Sequence, residues 1–224
     1  MKILGSLCFS PSSFQTPLFS LQLSQQYLKL CMHMQREGVS MSKVLVPLAK
    51  GFEEIEGVTI IDILRRAEID VTTAGVGKKL IVGAHNVTVQ ADAVVADVKS
   101  DDFDMIILPG GWDGTYALAD DADVQRLLKE FEAKQKKISA ICAAPFALNK
   151  AGVLSENFTC YPSVEEQIRT EGYTSEKKVV VDGNVMTSRG PGTASCFAFE
   201  IVRLLKGDEL ADGLKAGMLF EECC

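Results

Sequence analysis

From residue 42 onward, short and nearly uninterrupted apolar runs alternate with segments long enough for a helix. "KVLVPLA" (43–49), "IDVTTAGV" (69–76), "FDMIILPGG" (103–111) and "ISAIC" (138–142) are runs of the kind that strands covered on both faces require. Between them lie "EEIEGVTIIDILRRA" (53–67) and "DADVQRLLKEFEAKQKK" (121–137). The first puts Ile55, Val58, Ile61, Ile63 and Leu64 at mostly helical spacing, with acids at its start and Arg65 and Arg66 at its end, as the helix dipole favours. Parallel strands need a crossover between them, and a helix is the usual one. The pattern therefore predicts one α/β domain, a doubly wound and mainly parallel sheet sandwiched by helices.

Around that frame the sequence predicts smaller parts. "KKLIVGAHNVTVQADAVV" (78–95) reads as a hairpin turning near Gly83 or Asn86. "APFALNKAGVL" reads as a helix capped at Gly152. "NFTCYP" and "VVVDGNVMTS" read as further strands, the second a hairpin on Asp182-Gly183. "GTASCFAFEIVRLLKG" (192–207) reads as the last long helix.

Composition removes several function classes. A net charge of −7 argues against nucleic acid or an anionic membrane as the main partner. No apolar run approaches the roughly 18 residues that span a bilayer. The seven cysteines are scattered and show no CxxC or zinc-ribbon spacing, which suggests free thiols in a reducing, cytoplasmic compartment. His33 and His85 are too few and too isolated to suggest a metal site, so neither metal nor cofactor is expected.

Residues 1–41 differ in texture from the rest. The first forty hold seven Ser and five Gln, with Glu37 their only acid. They read as a disordered extension, or as sequence upstream of a start at Met41, because "MSKVLVPLAKG" opens a strand cleanly. A leader to mitochondria or another organelle is the competing reading, although such peptides are Arg-rich and Arg36 stands alone here. The domain itself is expected over 42–224.

The chemistry is expected where strands end, at their carboxyl edge. Cys142 closes one such strand and turns at once into a helix, with small residues behind it in Ala143 and Ala144. A strand-to-helix corner can hold a nucleophile out at the top of a sheet, and N–H groups at a helix start lower a thiol pKa. A buried thiol acting as a small hydrophobe is the commoner fate of free cysteine, and spacing alone leaves the two readings level. Gly110 and Gly111, at the end of another strand, have N–H groups that can bind an oxyanion or the oxygens of an oxidised sulfur, and the N–H of Ala143 is expected to join them at the substrate oxygen. "EEIE" has an equally bland reading, a solvated acidic first turn.

"LAKGFEEIE" (48–56), "LPGG" (108–111), "AICAAP" (140–145), "YP" (161–162) and "TSRGPGTA" (187–194) closely resemble motifs of the ThiJ/PfpI superfamily. They match, in order, the branch of the Parkinsonism-associated protein deglycase and its bacterial relatives. That resemblance implies a flavodoxin-like sandwich, a homodimer, a reactive cysteine at Cys142 and a carboxylic acid at Glu56. It further implies glyoxalase III-type hydration of methylglyoxal to lactate, or repair of early glycation adducts on protein side chains. Redox sensing or holdase chaperoning through an oxidisable Cys142 is the alternative. A carboxylate against a thiolate would put two like charges in contact, so Glu56 is expected to be neutral and to donate to sulfur.

Departures from related families matter as much. Ala143 stands where the protease-like branch has histidine, and no histidine follows His85, so a Cys-His-Glu amidotransferase triad is not available. Tyr161 stands where the human member of the branch has histidine; the phenol is a candidate to orient substrate. Glu53 is expected to pair with an arginine, Arg66 across a dimer interface being one candidate. Arg189, in the "SRGPGTA" turn, is a candidate to support the site or the partner subunit. Cys160 is expected in the core, and Cys223-Cys224 as an exposed, redox-prone tail.

Overall fold

A computed structural model describes residues 41–220. Of the expected disordered extension or leader at 1–41 all but Met41, and the Cys223-Cys224 tail, lie outside the described residues.

The sheet is built by β1 (Lys43–Leu48), β2 (Asp70–Gly75), the two-residue β5 (Ala93–Val94), β6 (Met105–Leu108), β7 (Lys137–Ile141), β8 (Val179–Asp182) and β9 (Val185–Ser188). Their order is β5-β2-β1-β6-β7-β9-β8, parallel throughout except for β8 against β9. A separate antiparallel hairpin joins β3 (Leu80–Val82) to β4 (Thr88–Gln90). Helices α1 (Glu54–Arg66), α2 (Trp112–Asp120), α3 (Ala122–Ala133), α4 (Pro145–Ala151), α5 (Glu165–Ile168), α6 (Ala194–Lys206) and α7 (Asp208–Gly217) complete it.

Alternation along each strand sorts side chains between two cores. On one face Val44, Val46, Leu48, Met105, Ile107 and Ile141 pack with Ile60 and Ile63 of α1 and with Phe197 and Ile201 of α6. On the other, Leu45, Ile106, Leu108, Ile138 and Ala140 pack with Leu127 and Phe131 of α3 and Leu148 of α4. This is the doubly wound sandwich that the sequence pattern predicts. Asp182↔Val185 closes the β8–β9 hairpin, with Gly183 in the left-handed conformation its turn needs. Gly152 ends α4 in the same conformation (φ 76°).

Four expectations change. The core face of α1 is Glu56, Ile60, Ile63 and Leu64, while Ile55 and Val58 stay exposed. "NFTCYP" forms no strand, only one bridge between Phe158 and Tyr173. Trp112–Asp120 and Asp208–Gly217 are further helices, beyond those expected from the sequence. Cys142 and Cys160 are free thiols, but Cys196 is disulfide-bonded.

Candidate active site

The chain leaves β1 for β2 on one side and passes from β6 to β7 on the other, so a crevice opens where the winding reverses. Three segments meet there: the loop from β1 into α1, the Pro109–Gly111 turn after β6, and the corner after β7. Cys142 is the first residue beyond β7 and has φ +65°, a left-handed backbone that costs a non-glycine residue on the order of 1–3 kcal/mol. The corner is held from both sides. Cys142 N–H donates to the Ser188 carbonyl (3.0 Å), and the Cys142 carbonyl accepts from Tyr161 N–H (2.8 Å). The helix beyond starts at Pro145 rather than Ala143, because residues 142–144 are used in the turn itself.

Glu56 approaches from α1 and is fully buried. Its carboxyl group hydrogen-bonds the Cys142 side chain, and its Oε2 accepts Gly110 N–H at 2.8 Å. Oε1 is enclosed with no partner of its own. The sulfur in turn receives the backbone N–H groups of Gly111 and Ala143. Two glycines make this approach possible. A Cβ on Gly110 would lie 2.6 Å from Cys142 Cβ and 2.9 Å from Glu56 Oε2, and Gly111 has φ +90° with the Gly51 carbonyl where its Cβ would go. The N–H groups of Gly110, Gly111 and Ala143 are expected from the sequence to face an oxyanion; in the fold Gly110 is committed to Glu56, and Gly111 and Ala143 are directed at the sulfur.

Burial dominates the electrostatics. It raises Glu56 to about 7, with the Gly110 N–H and Cys142 hydrogen bonds pulling the other way and the charge of Glu53 adding to the rise. Burial also raises Cys142, and the negative charge of Glu56 raises it further, against the pull of the Gly111 and Ala143 N–H groups. The sequence expectation of a thiol lowered by a helix start is therefore overturned while Glu56 is ionised: two amide donors do not outweigh desolvation plus a neighbouring carboxylate. Above about pH 7 the pair holds one negative charge between two groups, because a second would sit against the first in a low-dielectric site.

Cys142 opens onto a cavity of about 370 Å³ that is also lined by Glu53, His85, Trp112, Asp113 and Tyr161. Glu56 lies behind the sulfur and does not line it.

The DJ-1/PfpI family pattern matches residues 42–204. The chain belongs to that family. It is 44% identical over 183 residues to Protein dj-1beta of Drosophila melanogaster, covering 80% of this chain and 98% of that one. A Caenorhabditis elegans relative named glutathione-independent glyoxalase DJR-1.2 is 37% identical over 163 residues, covering 72% of this chain and 87% of its own. The crystal structure of Drosophila DJ-1beta superposes with a TM-score of 0.77 at 41% identity, covering 80% of this chain and 97% of that one. The seven-stranded sandwich is thus the flavodoxin-like fold of the family, and glyoxalase activity occurs within it.

The remaining predicted residues fall in different places. Tyr161 reaches the cavity and is 43% exposed. Glu53 lines it too, but its nearest counter-charge is His85 Nδ1 at 3.7 Å. Within the chain Arg66 binds Asp62 on its own helix at 2.8 Å. Arg189 has a buried Nε without a partner, and its charge acts on Cys160 and Tyr173 rather than on Cys142. Cys160 is fully buried, as expected.

His85 is the residue that sequence reasoning passed over. It lies in the β3–β4 turn, where Glu54 accepts its backbone N–H (2.6 Å), its ring Nδ1–H (2.8 Å) and the Val87 N–H (3.4 Å). Glu53, Glu54 and His85 place one ligand atom each within 4.8 Å of one another, the group among the described residues that could hold a metal ion. Both oxygens of Glu54 already have donors, so the trio works as a clamp that fixes the hairpin against the cavity. No local signal at His85 announces this; the contact spans 31 residues.

Proposed function

We propose that this protein converts α-oxoaldehydes, and the early adducts they form on protein side chains, by nucleophilic catalysis at Cys142 with Glu56 as the proton carrier. The observation that carries the reading is a sulfur at the cavity floor with a buried carboxyl group behind it and two backbone N–H groups directed at it. Of the two ways to place the pair's single proton, we assign it to Glu56. Sulfur then has two amide donors for its charge, and the orphaned Oε1 belongs to a neutral acid, which tolerates a missing partner better than a carboxylate does.

The steps follow from that arrangement. The thiolate attacks the aldehyde carbon while Glu56 protonates the aldehyde oxygen, giving a hemithioacetal. Glu56, now a carboxylate, removes the proton on that carbon and returns it to the neighbouring carbon, while the hydroxyl proton on the first carbon passes to the ketone oxygen. A lactoyl thioester results. Water cleaves it, releasing lactate and one proton and restoring the thiolate and the acid. Gly111 and Ala143 N–H steady the sulfur, and Tyr161 orients the substrate. The family's glyoxalase member supports the reading.

Cys142→Ser and Glu56→Gln in the full chain test it through lactate formation from methylglyoxal. Glu56→Gln should lose about 10²–10⁴-fold, the usual contribution of a positioned acid–base group, and Cys142→Ser at least as much. Near-wild-type turnover in either variant sinks the mechanism. The homodimer implied by the family resemblance is part of the proposal, supported by the exposed Ile55 and Val58 on α1. Light scattering at the mass of one chain would remove it.

Redox sensing is the second reading, favoured by the same N–H groups around a cavity-facing sulfur. Two equivalents of peroxide would take Cys142 through sulfenic to sulfinic acid and release two of water.

A further inference from the structure

The cavity mouth has features that a three-carbon dicarbonyl does not need. We propose that it selects adducts carried on positively charged groups over those on negatively charged ones, with Trp112 as an aromatic platform and Glu53 and Asp113 as counter-charges. This rests on the function proposed above and names the substrate class within it.

Trp112 is the chain's single tryptophan and the first residue of α2, and it is 42% exposed at the cavity. Its ring is nevertheless fixed. It stacks on Tyr116 at 6.2 Å between centroids, Tyr116 meets Phe146 edge-on at 5.6 Å, and Tyr116 Oη donates to Gln167 Oε1 at 3.1 Å. A second exposed ring, Tyr161, comes from beyond β7 and lies along Gly190, where a Cβ would be 3.2 Å from it. Two held but uncovered rings offer π surface at no further ordering cost, and a desolvated cation gains most from such a surface.

The charges agree with the rings. Glu53 and Asp113 line the cavity, and among the described residues no lysine or arginine does. The one basic group on the wall, His85, is held by Glu54 at 2.8 Å and lies 3.7 Å from Glu53, which leaves Asp113 as the carboxylate without a basic neighbour on that wall. A guanidinium or ammonium near the adduct thus meets two carboxylates and an aromatic face, whereas a carboxylate there meets repulsion. The cavity also has room for the carrier, since its volume is in the range that drug-sized ligands occupy.

Two measurements test the proposal on the full chain. The first compares kcat/KM for the methylglyoxal hemithioacetals of a cysteine peptide flanked by lysines and one flanked by aspartates. The lysine peptide should be favoured about tenfold at low salt, with the ratio shrinking as ionic strength screens the mouth. Trp112→Leu and Asp113→Asn should each lower that ratio about threefold. A ratio near one, or one unchanged in both variants, overturns the proposal. The second needs no turnover. Trp112 is the only indole, so its fluorescence reports occupancy directly in wild type and in Cys142→Ser. N-acetyl-arginine amide should give a saturable change in both, and N-acetyl-glutamate amide none. Equal responses, or none, overturn the proposal. Selective binding in a protein that turns over neither peptide would retain the mouth's charge selection and discard the catalytic reading instead.

Discussion

Two buried thiols sit beside two glutamates in this fold, and only one pair resembles a catalyst. Cys160 Sγ lies 3.9 Å from Glu165 Oε2, and burial pushes its pKa up to about 12. It is fully enclosed, and its glutamate is half-buried at the start of a four-residue helix. Cys142 is nearly as buried at 8% exposure, but it faces a cavity, and its glutamate is sealed behind it. It also has two amide donors from different segments. A cysteine beside a glutamate is therefore not a site. Access on one side, a dry acid on the other and fixed N–H groups around the sulfur separate the two.

Peroxide should expose the largest difference. Under mild oxidation intact mass should rise by two oxygens, located at Cys142 by peptide mapping, with Cys160 modified at least about tenfold more slowly because the reagent must wait for an opening of the core. Equal oxidation of the two would erase the contrast in access.

A smaller effect concerns the acid behind Cys142. Glu56 is raised from 4.5 in the unfolded chain to about 7 in the fold. Between those values the native state holds a proton that the unfolded state has lost, so stability falls as pH rises through that window. The loss should reach roughly 3 kcal/mol by pH 8. Glu56→Gln should flatten that slope. Denaturant midpoints measured from pH 4 to 8 decide the matter. An unchanged slope in Glu56→Gln would mean that the buried acid does not hold the pair's proton.

Much of this was legible in the sequence, for local reasons. Apolar runs near five residues, helix-length spacers, the Asp182-Gly183 turn and the Gly152 cap each have a short-range physical cause, and each appears where expected. Cys142 was conspicuous because a strand, a small-residue turn and a helix meet at it. The helix at Trp112–Asp120 was not, being nine residues long with Gly114 inside and no side-chain cap. The face of α1 was misjudged because Ile55 and Val58 looked like core. The set Glu56, Ile60, Ile63 and Leu64 has equally good helical spacing, and an acid on that stripe was the available clue.

By itself the sequence determined the layered fold, since periodicity and turn chemistry act within a few residues of each other. It also singled out the sulfur. Only the tertiary structure decided that Gly110 serves Glu56, that Glu54 clamps the His85 turn, and that Trp112 and Asp113 stand at the mouth. Those contacts join residues tens of positions apart, and their energies depend on desolvation, which no local stretch of sequence can specify.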